Sequence, residues 1–169
     1  MQLTQVLLEE LERETPRSRR MLEEMPEGKA DWKPHEKSMT FGYLAELVAI
    51  MPSWITMVIK MPELDIAPKD GSRIPRTPLN TRADYLQALD KAVSDARAAL
   101  SETDDAHLAT NWRLLAGGRV AIETSRAEMI ADTLNHWVHH RAQMTVYLRL
   151  LGAKVPALYG PSADERPFG

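Results

Sequence analysis

The chain has 169 residues, 44% of them hydrophobic and 27% charged, and its 21 basic and 24 acidic residues leave a net charge of -3. That size and balance suit one globular domain over residues 1–169 with a core that needs no staples, and they give no electrostatic reason to bind nucleic acid or an anionic membrane. With no cysteine, disulfides, thiolate nucleophiles and thiolate metal ligands are excluded, so any metal must use histidine, carboxylate, carbonyl or water.

The N-terminal run reaches acidic residues by Glu9 and is too short in apolar residues for a signal peptide. No stretch approaches the ~18 apolar residues of a membrane span. The expectation is a cytoplasmic protein. Residues 3–25 place Leu3, Val6, Leu7, Leu11, Met21, Leu22 and Met25 at helical spacing, with Pro16 set to kink or break the helix. A loop rich in Pro, Gly and charge follows. Ser38 is positioned to cap a second helix, whose Leu44, Leu47, Val48, Met51, Ile55, Val58 and Ile59 share a face. Pro52 predicts a kink inside it. Residues 61–78 carry four prolines and one glycine, which reads as a long irregular crossover.

A third helix spans about Thr81 to Leu100, burying Tyr85, Leu86, Leu89, Val93, Ala96 and Leu100. Gly117 and Gly118, between two short apolar runs, predict a β-hairpin. Ser125 and Glu128 match a capping box that opens the last helix. Its predicted inner face holds Met129, Thr133, His136, Trp137, His140, Met144, Tyr147 and Leu151, and Gly152 stops it. A Pro- and Gly-rich tail should pack as a strap. Four amphipathic segments predict an all-α four-helix bundle with a long crossover and a small β-hairpin before the last helix.

The last helix concentrates the chemistry: "NHWVHHRAQ", 135–143, holds three of the five histidines. Residues four apart share a helix face about 5–6 Å apart at Cβ, so His136 and His140 should both point inward, half of a metal site built from imidazoles. Packing that accepts two hydrogen-bonded histidines gives the same pattern, and spacing names no third ligand. His139 falls nearer the rim. Arg141 and Gln143 flank the cluster as groups that could orient a substrate, or as surface residues. His35, His107 and the Asp104–Asp105 pair read as solvated. Trp32, Trp54, Trp112 and Trp137 read as core. No Gly-rich phosphate loop, nucleophile elbow or His-Glu-x-x-His motif is present.

Residues 135–165, "NHWVHHRAQMTVYLRLLGAKVPALYGPSADE", closely resemble the end of DinB-family proteins, the DinB/YfiT-like metalloenzymes, which are distinct from the DNA polymerase that shares the name. The segment looks like that family's His-x-x-His-His-Arg-Gly-Gln, its apolar helix and its Pro…Tyr-Gly-Pro strap. "DWKPHEKSMTFGYLAELVAIMPSW", "NWRLLAGG" and "TSRAEM" resemble its second-helix entry, hairpin and last-helix start. The resemblance implies a bundle that is usually a homodimer. It also implies a divalent metal, often nickel or zinc, held by three histidines, of which His136 and His140 would be two. The third lies in a Leu-Ala-x-His-[Val/Ile]-Ala pattern, which here reads Leu44-Ala45-Glu46-Leu47-Val48-Ala49. Leu47 therefore stands at the ligand position, and leucine cannot ligate. Glu46 is about 100° around the helix and a poor substitute. Ala142 for Gly adds only a methyl.

Two functions follow as expectations. One is a metal-dependent enzyme, a transferase activating a low-molecular-weight thiol or a hydrolase, with His136 and His140 as ligands and His139, Arg141, Gln143 and Tyr147 around the substrate. The other is a non-catalytic, stress-related binding protein that has lost the metal. A DNA-repair factor is disfavoured by the acidic net charge.

Overall fold

The computed structural model describes residues 2–72 and 77–166, so the Arg73–Arg76 part of the expected crossover and the last residues of the tail lie outside the described residues. Among the described residues there are six helices: α1 Leu3–Glu23, α2 Phe41–Ile50, α3 Pro52–Lys60, α4 Arg82–Ser101, α5 Asp105–Leu108 and α6 Arg126–Leu150. Strands β1 Glu63–Asp65, β2 Asn111–Ala116 and β3 Arg119–Ser125 form one small sheet. The protein is mostly helical, and the hairpin expected from Gly117-Gly118 is joined by a third strand that sequence reading did not foresee.

α1 buries Leu7, Leu11, Glu14, Ser18, Met21 and Leu22 at three- and four-residue intervals. It does not break at Pro16, which lies on the exposed side. There the ring leaves a carbonyl one turn earlier without its helical donor, but within reach of water. The second helical region differs from expectation at both ends. Thr40, not Ser38, caps α2, its hydroxyl accepting from the Tyr43 N–H. Pro52 is not interior to one helix. It opens α3, and the two helices are bent by 49°. α4 begins at a capping box formed by Thr81 and Asp84, and α6 at the expected one formed by Ser125 and Glu128.

α1 packs against α4 and α6, and α2 and α3 pack against the same two helices. These neighbours enclose one core that includes Leu11, Met21, Phe41, Leu44, Leu47, Ile55, Leu89, Leu100, Ile130, Trp137, Met144 and Leu148. Among the described residues no single helix is long and apolar enough to cross a membrane, and most apolar residues of the bent pair belong to the core.

The break at Pro52 has a partner in α6. Proline has no N–H, so it cannot serve the Val48 carbonyl one turn before it. The indole Nε1–H of Trp137 donates to that carbonyl at 2.7 Å. Trp137, 1% exposed, thereby joins α6 to the bend.

In the sheet, β1 runs parallel to β2 and β2 antiparallel to β3, in the order β1-β2-β3, with a register shift at Leu114/Leu115. Gly117 and Gly118 turn the hairpin at φ 63 and 76, the two positive values a tight two-residue turn requires. The Asp65 carboxylate accepts from the N–H groups of Ala67, Gly117 and Gly118 at 2.9, 3.0 and 2.7 Å, which pins β1 to the hairpin. The buried Arg126 at the start of α6 donates to the carbonyls of Val58 and Met61 and to Thr110 Oγ1. It caps the end of α3 and joins it to the hairpin.

Candidate functional site

Each residue of an α-helix turns by about 100°. Around α6, Trp137 marks the centre of the buried arc, which also holds Ile130, Thr133, Leu134, His140, Arg141, Met144 and Leu148. His140 lies about 60° from Trp137 and His136 about 100°. The structure follows that difference. His140 is 8% exposed, whereas His136, expected to point inward, lies exposed at the rim. Spacing four apart put both on one face, and the edge of the core falls between them.

The rings still meet. The His136 and His140 centroids are 4.5 Å apart, those of His139 and His140 are 5.3 Å apart, and those of His136 and Trp54 of α3 are 5.8 Å apart in an edge-on arrangement. Loss of water against these rings, reinforced by the neighbouring His140 and His139, holds the His136 pKa below the ordinary histidine value. Trp54 is half-buried and walls the site. A helical face of "PSWITM" in the sequence carried no mark of that role.

Gln143 ties the cluster together. His140 Nδ1 and Gln143 Oε1 are 2.9 Å apart, and Gln143 Nε2 and His139 Nε2 are 3.0 Å apart. Histidine, glutamine and histidine thus form a short chain along the outer edge of α6. His139, exposed as expected, is its outer end.

Two flanking residues belong elsewhere. Arg141, read as a substrate-orienting or surface group, is 1% exposed and faces α1. Its guanidinium donates to the Glu14 carboxylate and carbonyl, to Ser18 Oγ and to the Tyr159 hydroxyl. Four of its five N–H donors are thus engaged inside the protein, away from the histidine cluster. The signal was present, since Arg141 stands four after Trp137 and three before Met144, on the core line. Tyr147 is also committed: its hydroxyl donates to the Met39 carbonyl at 3.1 Å, and its ring packs on Trp32 and Phe41 at 5.7 Å. His107, expected to be solvated, is half-buried with Nε2 2.9 Å from the Ile59 carbonyl, while Asp104 caps α5 and Asp105 accepts from the first N–H groups of α1.

The donors present do not fit a three-ligand divalent site. Leu47 is 5% exposed, packed in the core as an apolar residue. Among the described residues, no three His, Asp or Glu side chains converge in a way that could hold a metal ion. Glu46 supplies no third ligand. Its charge is felt instead at Tyr85 of α4, whose pKa burial raises first and Glu46 next.

A helical protein with a small sheet and a histidine-bearing last helix is the class that fold and site define. The DinB family model matches residues 1–166, and the chain belongs to the DinB family. Its fold is similar to a DinB-like protein of Bacillus cereus ATCC 10987, with a TM-score of 0.66 at 20% identity over 90% of this chain and 95% of that one. It is similar to the DinB-like YjoA of Bacillus subtilis, with a TM-score of 0.68 at 15% identity over 90% and 96% of the chains. It is also similar to YfiT of Bacillus subtilis, described as a probable metal-dependent hydrolase with an unusual four-helix bundle topology, with a TM-score of 0.61 at 15% identity over 89% of each chain. A comparison with curated proteins finds no match.

Proposed function

We propose that this chain is a DinB protein with a degenerate divalent-metal site, and that it works as a binding protein rather than through a resident metal. The observation that carries this reading is Leu47, a buried core residue at the place where the family resemblance implies a third histidine. His136 and His140 remain, with Trp54 as a wall and His139 and Gln143 at the edge. Two imidazoles with no third protein donor hold a divalent ion far more weakly than three. The site binds a small ligand at its histidine-lined rim, in keeping with a stress-related role.

A second reading has its own support. The His136 and His140 rings still stand 4.5 Å apart, and YfiT is described as a probable metal-dependent hydrolase. On that reading nickel or zinc on His136 and His140 would lower the pKa of a bound thiol or water, and the reaction would be thiol transfer or hydrolysis. Elemental analysis of the untagged protein, with and without added nickel or zinc, separates the two. No retained metal supports the binding protein. About one tightly held ion per chain would overturn it, and assays with a small thiol and an electrophile would then follow.

Leu47→His extends the test. In chelator the variant should be less stable than the parent by about 1–3 kcal/mol, because a polar ring enters the core. Added nickel should restore stability by binding only the folded form. No difference in nickel response between variant and parent counts against the degenerate-site reading. We further read the packing of α1, α4, α6 and the bent α2–α3 pair as a four-helix bundle with a crossover, forming a single cytoplasmic domain that pairs as a homodimer. Sedimentation equilibrium tests the pairing.

A further inference from the structure

We propose that Gln143 is a positioning residue that fixes which nitrogen of His140 faces a ligand. This rests on the reading of His140 as part of the site. The amide oxygen of Gln143 can only accept and its nitrogen can only donate. With Oε1 at His140 Nδ1 and Nε2 at His139 Nε2, at 2.9 and 3.0 Å, every proton in the chain is determined. His140 Nδ1–H donates to Gln143. Gln143 Nε2–H donates to the bare Nε2 of His139. Both histidines are therefore held in the Nδ1–H form when neutral. Free imidazole side chains in water favour the opposite Nε2–H form, so the chain imposes a state the rings would not choose.

The geometry that allows it is helical. Gln143 is three residues from His140 and four from His139, the two spacings that bring side chains together on a helix. His140 is nearly buried, and this bond fixes both its ring orientation and its lone pair. The consequence is a choice of ligand chemistry. His140 offers a lone pair at Nε2, so the group it contacts is a proton donor (a hydroxyl, thiol or N–H) or a cation. A carbonyl or carboxylate oxygen would meet the lone pair and be repelled. Which nitrogen of a histidine is bare is set by the bond the other nitrogen makes.

Long-range proton–nitrogen correlation spectra of the intact, histidine-labelled protein read the tautomers directly. They are recorded in chelator, well above the ordinary histidine pKa of about 6.5. The expected result is an Nδ1–H signature for both His139 and His140. In Gln143→Ala both should shift toward Nε2–H. In Gln143→Glu, which keeps the size, both oxygens accept. His140 should then stay Nδ1–H while His139 reverses to Nε2–H. A residue that merely filled space would give no such split, and the Glu variant carries the test if the Ala variant folds poorly. An Nε2–H signature for His140 in the parent protein would overturn the proposal, since it means the amide is turned the other way. Tautomers unchanged in both variants would overturn it equally. Because the spectra need no metal, their outcome stands apart from the metal analysis: either reading can fail while the other survives.

Discussion

Arg141 and Glu14 show what a single residue can conceal. They are 1% and 2% exposed, facing each other between α6 and α1. Burial pulls the Glu14 carboxyl upward, but the Tyr159 hydroxyl and the Arg141 guanidinium outweigh it and hold its pKa below the usual value. The buried Glu14 carboxylate is shared by Arg141, Arg17 and the Tyr159 hydroxyl, and Arg141 is its fully buried counter-charge. Arg141→Met should therefore destabilise the protein by about 3–5 kcal/mol, since it leaves a buried carboxylate short of its main partner. Changing Arg141→Met and Glu14→Leu together should recover part of that loss, and a denaturant double-mutant cycle measures it. A cycle in which the two losses simply add would show the pair to be uncoupled. The same residues mark where the sequence misleads. The "HHRAQ" run groups four polar side chains around one alanine, yet the helix sends Arg141 toward α1 and Gln143 toward the rim. Only the position of the core edge around α6 tells them apart.

At the scale of elements, the bend between α2 and α3 and its indole partner form one device. Trp137→Phe keeps the ring and removes the donor, leaving the Val48 carbonyl buried and unpaired. The expected loss is about 1–3 kcal/mol by denaturant unfolding. In a Pro52→Ala background a backbone N–H returns within reach of Val48, and the penalty for Trp137→Phe should shrink. An equal penalty in both backgrounds would refute the account. The entry to α2 is as specific. A Cβ on Gly42 would stand 2.9 Å from the Ala30 Cβ and 3.2 Å from the Ala30 Cα. The second contact is backbone and cannot swing aside. Gly42→Ala should thus lose about 1–3 kcal/mol to overpacking, against a helix-propensity gain of up to about 1 kcal/mol, and thermal melts should show a net loss. The prolines and caps were legible here because they act through local backbone geometry. Thr40 displaced Ser38 as the cap because the loop before it is held by the Trp32 carbonyl, which accepts from Phe41 N–H at 2.8 Å, and such a contact between distant residues leaves no local mark.

The whole molecule is closed by its tail. After Gly152, which adopts φ 71 beyond the end of α6, the chain returns across α6 and α1. The Asp164 carboxylate accepts from Arg149 and from the Val155 N–H. Glu165 meets Lys154, Arg20 and the Ala157 N–H, and these contacts, Lys154 foremost, lower its pKa from 4.5 to about 2. A carboxyl whose folded pKa is depressed adds stability above its unfolded pKa and loses it as pH falls through the folded one. Tail docking should accordingly weaken between pH 4.5 and about 2. Proteolysis of the tail at graded pH reads this directly. Glu165→Gln should be cut more readily at neutral pH and show a flatter pH response, and identical profiles for the two proteins would contradict the role given to Glu165.

The sequence by itself determined the four amphipathic segments, the hairpin at Gly117-Gly118, the capping box of α6, the histidine cluster and the family to which they belong. Each of these is written in spacing of a few residues, where backbone geometry and side-chain periodicity act without help from distant parts of the chain. Tertiary structure decided the rest. It set His136 outside the core and His140 inside, committed Arg141 to Glu14 and Tyr147 to Met39, joined β1 to β2 across about fifty residues of chain, and brought Trp54 against the histidines. Those outcomes depend on which neighbouring helix covers which arc of α6. That is a matter of packing between segments far apart in sequence, where the free energy of burial, not local spacing, makes the choice.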